Sequence, residues 1–156
     1  FTEFNVVKLL NNGLELVEYF SSDSYKADIV LMDIKMPQMD GIEATNWLKL
    51  NHPYIKVLAL SMECDEITII QMLQAGAKGY LLKDIHPSIL HHALLEVHSK
   101  GYYYTENVAN TLLHSIEHKE KRKEVFLKGR ELEFLKLTCK DISSFASTFY
   151  VCFYVH

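Results

Sequence analysis

Ala27-Asp28-Ile29-Val30-Leu31-Met32-Asp33 decides the fold. Its apolar residues are continuous rather than alternating, and so short a run suits a strand buried on both faces, as in a parallel sheet covered by helices. Lys56-Val57-Leu58-Ala59-Leu60 and Gly79-Tyr80-Leu81-Leu82 repeat the pattern. Helical periodicity fills the intervals. Gly41–Leu50 carries Ile42, Ala44, Thr45 and Leu48, and Asp40 followed by Glu43 reads as a capping box at its start. Ile67, Ile70 and Leu73 mark a helix over 65–77, and Ile89, Leu90, Ala93, Leu94 and Val97 mark another over 88–99. Upstream, Phe4–Leu10 reads as a strand, Asn11-Asn12-Gly13 as a turn and Leu14–Phe20 as a helix. The order is β-α repeated four times.

In an open parallel sheet the reactive groups gather beyond the carboxyl ends of the strands. Here those ends deliver Asp33, Ser61 and Lys83. A carboxylate can accept a phosphoryl group, a hydroxyl can bond one of its oxygens and an ammonium can pair with its charge. One such residue alone is an ordinary strand terminator; three at successive strand ends predict a phosphoryl site without a P-loop.

Composition bounds the alternatives. The 156 residues, 49% hydrophobic and 23% charged, fit one globular domain plus a small extra element. No apolar run approaches the roughly 18 residues of a membrane span, and no secretory signal is evident, so the cytosol is expected and no membrane partner. Cys64, Cys139 and Cys152 have neither disulfide nor zinc-site spacing. Residues 1–101 hold 8 Lys/Arg against 13 Asp/Glu, a net of −5, whereas 102–156 hold 8 against 7, a net of +1. The shift centres on Lys119, Lys121, Arg122, Lys123, Lys128 and Arg130, read either as a solvated connector or as the edge of a phosphate-contacting patch. His114 and His118, four apart, lack a third ligand and read as surface residues.

The motifs Asp28-Ile-Val-Leu-Met-Asp33-Ile-Lys-Met-Pro37-Gln-Met-Asp-Gly41, Val57-Leu-Ala-Leu-Ser61 and Ala75-Gly-Ala-Lys-Gly79-Tyr-Leu-Leu-Lys83-Asp84 closely resemble the receiver domain of two-component response regulators, specifically the NarL/LuxR type. The resemblance implies an α/β, flavodoxin-like receiver over 1–101, a linker with a helix over 102–126 and a partial LuxR-type helix-turn-helix over 127–156. It implies that Asp33 takes phosphate from a sensor histidine kinase, that Ser61 is the switch hydroxyl, that Lys83 binds the phosphoryl group and that Tyr80 is the switch aromatic. It further implies Mg²⁺, held in part by Asp33 and the backbone carbonyl of Lys35, and a homodimer acting on DNA. Receiver-like binding without phosphorylation is the alternative. A haloacid-dehalogenase-type phosphatase is a weaker rival, since that class wants an Asp where Lys35 stands.

Family members open with a strand ending in two acids and a helix, ahead of the segment matching Phe4–Gly13. The sequence is therefore read as lacking that first strand and helix, and with them the remaining metal ligands; a partner filling the gap or a rearranged fold are the other possibilities. Glu3 and Asp23 are the only acids available as substitutes. Leu127–Leu137 resembles the first helix of the helix-turn-helix and Phe145–Phe153 its scaffold helix and turn, so a recognition helix would start near Cys152.

Overall fold

The computed structural model describes residues 3–22, 26–62, 65–121 and 150–155, with 116–121 and 150–155 described by backbone alone. Strands β1 (Phe4–Leu10), β2 (Ile29–Asp33), β3 (Lys56–Ser61) and β4 (Gly79–Leu82) alternate with helices α1 (Gly13–Phe20), α2 (Gly41–Asn51), α3 (Glu66–Ala75) and α4 (Pro87–Lys100). Then come helix α5 (Glu106–Lys121) and strand β5 (Tyr150–Val155). The expected β-α order holds through α4.

Every residue of β2 is buried, and β3 and β4 are nearly so. The continuous apolar runs are thus explained by burial on both faces. On one face Val30, Met32, Ala59 and Tyr80 pack with Leu16, Leu48, Ile69 and Met72 from α1, α2 and α3. On the other, Ile29, Leu31, Leu58 and Leu81 pack with Ala93, Leu94 and Val97 of α4. The helices start where their caps dictate. Asn12 and Asp65 each accept a hydrogen bond from the backbone N–H three residues on, at 2.9 Å, and Asp40 and Glu43 form the expected capping box.

The sheet order is β1-β5-β2-β3-β4. The 2-1-3-4-5 arrangement of the flavodoxin-like fold keeps its slots, but the central one is filled from the other end of the sequence. β5 runs antiparallel to both neighbours, pairing Phe4 with Val155 through Leu10 with Tyr150, and Ile29 with Phe153 through Leu31 with Val151. The sheet is therefore mixed rather than wholly parallel. The reason is hydrogen bonding: β1 and β2 present facing rows of N–H and C=O groups, which a strand of either direction satisfies.

This corrects the expected tail. Tyr150–Val155, assigned by resemblance to the end of a scaffold helix and the start of a recognition helix, is a strand. Its six residues are uncharged and mostly aromatic or β-branched, the types enriched in strands. The first helix expected over Leu127–Leu137 lies outside the described residues. Among the described residues no helix is long and apolar enough to cross a membrane.

Candidate functional site

Asp33 closes β2 and is 6% exposed. The chain then turns sharply, with the Lys35 N–H 3.4 Å from Asp33 Oδ1 and the Gly41 N–H donating to the Ile34 carbonyl at 2.9 Å. Gly41 is required there by contact: a Cβ on it would lie 2.1 Å from the Asp33 carbonyl oxygen. The start of α2 is thereby drawn against the backbone of Asp33. Gln38, at φ 68, takes the tight point of the intervening loop, a left-handed conformation uncommon for a residue with a side chain.

Register places the other two strand-end residues on the same edge. Asp33 pairs with Leu60, so Ser61 stands one step further along β3; Ser61 pairs with Leu82, so Lys83 stands one step beyond β4. The Lys83 N–H donates to the Ser61 carbonyl at 2.8 Å, continuing the ladder past the strand end. From there the Lys83 side chain crosses β3, and its ammonium donates to Asp33 Oδ2. The Asp33 side chain is nearly buried and the Lys83 side chain about a quarter exposed. Ser61 is 6% exposed on the strand between them. The structure thus brings Asp33 and Lys83 into contact and sets Ser61 at the same edge. Tyr80 is placed differently. It lies within β4 opposite Ala59, 2% exposed, in the apolar cluster shared with α3.

The two substitute acids are not gathered at this site. Asp23 lies outside the described residues. Glu3 precedes β1, whose carboxyl end faces the site, so it stands at the opposite end of that strand. Its carboxylate meets His91 Nε2 on α4 at 3.2 Å, and that hydrogen bond holds its pKa below the usual value. Receiver domains bind Mg²⁺, but among the described residues no three His, Cys, Asp or Glu side chains are grouped to hold a metal ion. The carboxylate of Asp33 is also engaged by an ammonium. This donor set does not fit a hard dication that takes six oxygen ligands. The end of β5 nearest the site is its amino end, Tyr150, so the strand beside Asp33 approaches without the acidic pair expected of a first strand.

The family described as response regulator receiver domain matches residues 2–95. The chain belongs to that family. It is 32% identical over 148 residues to the transcriptional regulatory protein LnrK of Bacillus subtilis, covering 95% of this chain and 66% of LnrK. It is 40% identical over 102 residues to the transcriptional regulatory protein DegU of Brevibacillus brevis, covering 65% of this chain and 41% of DegU. The chain thus spans less than two thirds of the length of either relative. Among solved structures, a two-component response regulator of the LuxR family from Aurantimonas sp. SI85-9A1 superposes with a TM-score of 0.56 at 25% identity, covering 67% of this chain and 73% of that one. Receiver domains are not enzymes in the usual sense.

Sequence reasoning missed β5. Its signal was present, a continuous apolar run like those of β2 and β3, but the same residues also fit the helix-turn-helix resemblance.

Proposed function

We propose that this receiver is the phosphorylation switch of a two-component response regulator, with Asp33 as its phosphoacceptor. The observation that carries the reading is the contact between the Lys83 ammonium and the Asp33 carboxylate across the carboxyl edge of β2, β3 and β4. In the reaction, an Asp33 carboxylate oxygen attacks the phosphorus of a phosphohistidine on a sensor histidine kinase. The P–O bond to Asp33 forms as the P–N bond breaks, and the imidazole leaves. Charge builds on the equatorial phosphoryl oxygens, where a preorganised cation and hydroxyl are most effective. Lys83 moves from the carboxylate to those oxygens, and the Ser61 hydroxyl donates to another. The added negative charge and acceptor oxygens then become a change of shape, to which Tyr80 responds as the switch aromatic.

The receiver catalyses its own phosphotransfer, works in the cytosol as a homodimer and controls transcription through DNA. The names of LnrK and DegU and the LuxR-family neighbour support that output. Among the described residues, Asp33, Lys83 and Ser61 are the groups that act on the phosphoryl unit.

A second reading, a receiver-like module that binds partners without taking phosphate, is favoured by that donor set and by the antiparallel β5. Intact-mass measurement after treatment with phosphoramidate, with and without Mg²⁺, separates the two. A gain of one phosphoryl group that disappears in Asp33→Asn supports the switch. No gain under either condition supports the binding module.

A further inference from the structure

Gly13 opens α1 on the same edge of the sheet as Asp33, because β1 ends at Leu10 and its carboxyl end faces the site. Its N–H donates to the Met39 carbonyl at 3.2 Å, which fastens the turn after β1 to the loop that follows Asp33. The fit is close. A Cβ on Gly13 would stand 2.7 Å from Met39 Cγ, 2.9 Å from Met39 Cβ and 2.9 Å from the Met39 carbonyl oxygen. Any side chain at this position therefore forces either the turn or the loop to move.

How each is held decides which one gives way. The turn is braced: the Asn11 N–H donates to Glu15 Oε2 and the Glu15 N–H to Asn12 Oδ1, both at 2.9 Å, and Leu10 and Leu16 on either side are buried. The loop is pinned mainly near its ends. The Gly41 N–H donates to the Ile34 carbonyl and the Met39 N–H to the Pro37 carbonyl, each at 2.9 Å, whereas Lys35, Pro37 and Gln38 are exposed. The loop yields first. Its opening residues carry the Lys35 N–H that stands 3.4 Å from Asp33 Oδ1, the oxygen opposite the one that meets Lys83. A shift at Met39 is thus passed along a few residues of backbone to the carboxylate itself.

We propose that Gly13 is a positioning residue for phosphoryl transfer, holding the 34–40 loop, and through it the Asp33 carboxylate, in line for attack. The proposal rests on Asp33 being the phosphoacceptor. Gly13 acts through Met39 rather than on the phosphoryl group. Small displacements matter here because attack tolerates little misalignment: a misplacement of about 1 Å can cost about 100-fold in rate.

The mass gain on Asp33 across a series of phosphoramidate concentrations, measured on the full chain, tests this. In Gly13→Ala the limiting rate falls by about threefold or more, while the half-saturating concentration holds because Lys83 and Ser61 are untouched. Gly101→Ala is the control. It puts a side chain at φ 89 beyond the end of α4, with nothing within 4 Å of the added Cβ, so it lowers the melting temperature and leaves the limiting rate unchanged. Glu15→Ala unbraces the turn without adding bulk; it slows labelling by a smaller factor, and it carries the test alone if Gly13→Ala does not fold. Parent-like limiting rates in whichever of these two variants fold, or an equal slowing in Gly101→Ala, overturn the proposal and leave the phosphoacceptor reading intact. Absence of any mass gain on Asp33 in the parent overturns both.

Discussion

Lys83 and Asp33 meet across a strand that belongs to neither of them: the lysine follows β4, the aspartate closes β2, and β3 lies between. Such a pair forms only if all three strands are in register, so it reports on the sheet as well as on the chemistry. Lys83→Ala leaves a nearly buried carboxylate without its cation. The loss of stability should fall between the about 0–1 kcal/mol of an exposed pair and the about 3–5 kcal/mol of a fully buried one. Urea unfolding measures it, and the same variant is expected to gain phosphate from phosphoramidate more slowly than the parent.

Asp33→Asn keeps the shape of the side chain and removes the nucleophilic oxygen. Phosphodonor labelling should vanish while the far-ultraviolet circular dichroism is unchanged. Labelling that persists in the variant would move the phosphoacceptor elsewhere.

Gly41→Ala tests whether the loop after Asp33 is held by backbone contact. The added methyl would fall 2.1 Å from a carbonyl oxygen that cannot rotate away, so the loop or the start of α2 must shift. Overpacking of this kind costs about 1–3 kcal/mol. A lower melting temperature is expected together with slower labelling, because the shift displaces Asp33 itself.

Asp65, the cap of α3, has its carboxyl pKa held below the ordinary 3.8, chiefly by the Thr68 backbone N–H and in smaller part by Lys35. A lowered folded-state pKa adds stability that is present above the ordinary value and is lost as pH falls through the folded value. Asp65→Ala should therefore destabilise the protein by about 1 kcal/mol at neutral pH, as lost caps do. The gap between variant and parent should narrow below pH 3.8, which melting curves across pH can follow.

Cys152→Pro removes a backbone donor from a strand paired on both sides, opposite Lys8 and Val30. A lost ladder bond with an unsatisfied partner costs about 1–3 kcal/mol. The variant should melt earlier and, with the edges of β1 and β2 exposed, should aggregate at concentrations where the parent stays in solution.

Most of the receiver could be read locally. Continuous apolar runs gave β2, β3 and β4, and the Asp40 and Glu43 pair marked the start of α2, because burial and capping leave signatures within a few residues. The site is legible in the residues that stand at each strand end, although contact between Asp33 and Lys83 depends on the sheet order, which no single run contains. Glu3, only a weak substitute for the missing metal ligands, lies next to a strand but at the wrong end of it. β5 escaped because its six uncharged residues, although strand-like in type, also match the helix-turn-helix resemblance. The choice was made by an unsatisfied slot between β1 and β2, far away in sequence.

That slot also sets the order of events during synthesis. Phe4 pairs with Val155, so β1 waits for a strand about 150 residues further along the chain before its ladder can close. Contacts of such wide sequence separation form late and slowly. Until Tyr150–Val155 emerges, the nascent polypeptide carries two bare strand margins, a natural target for chaperones that shield unfinished sheets.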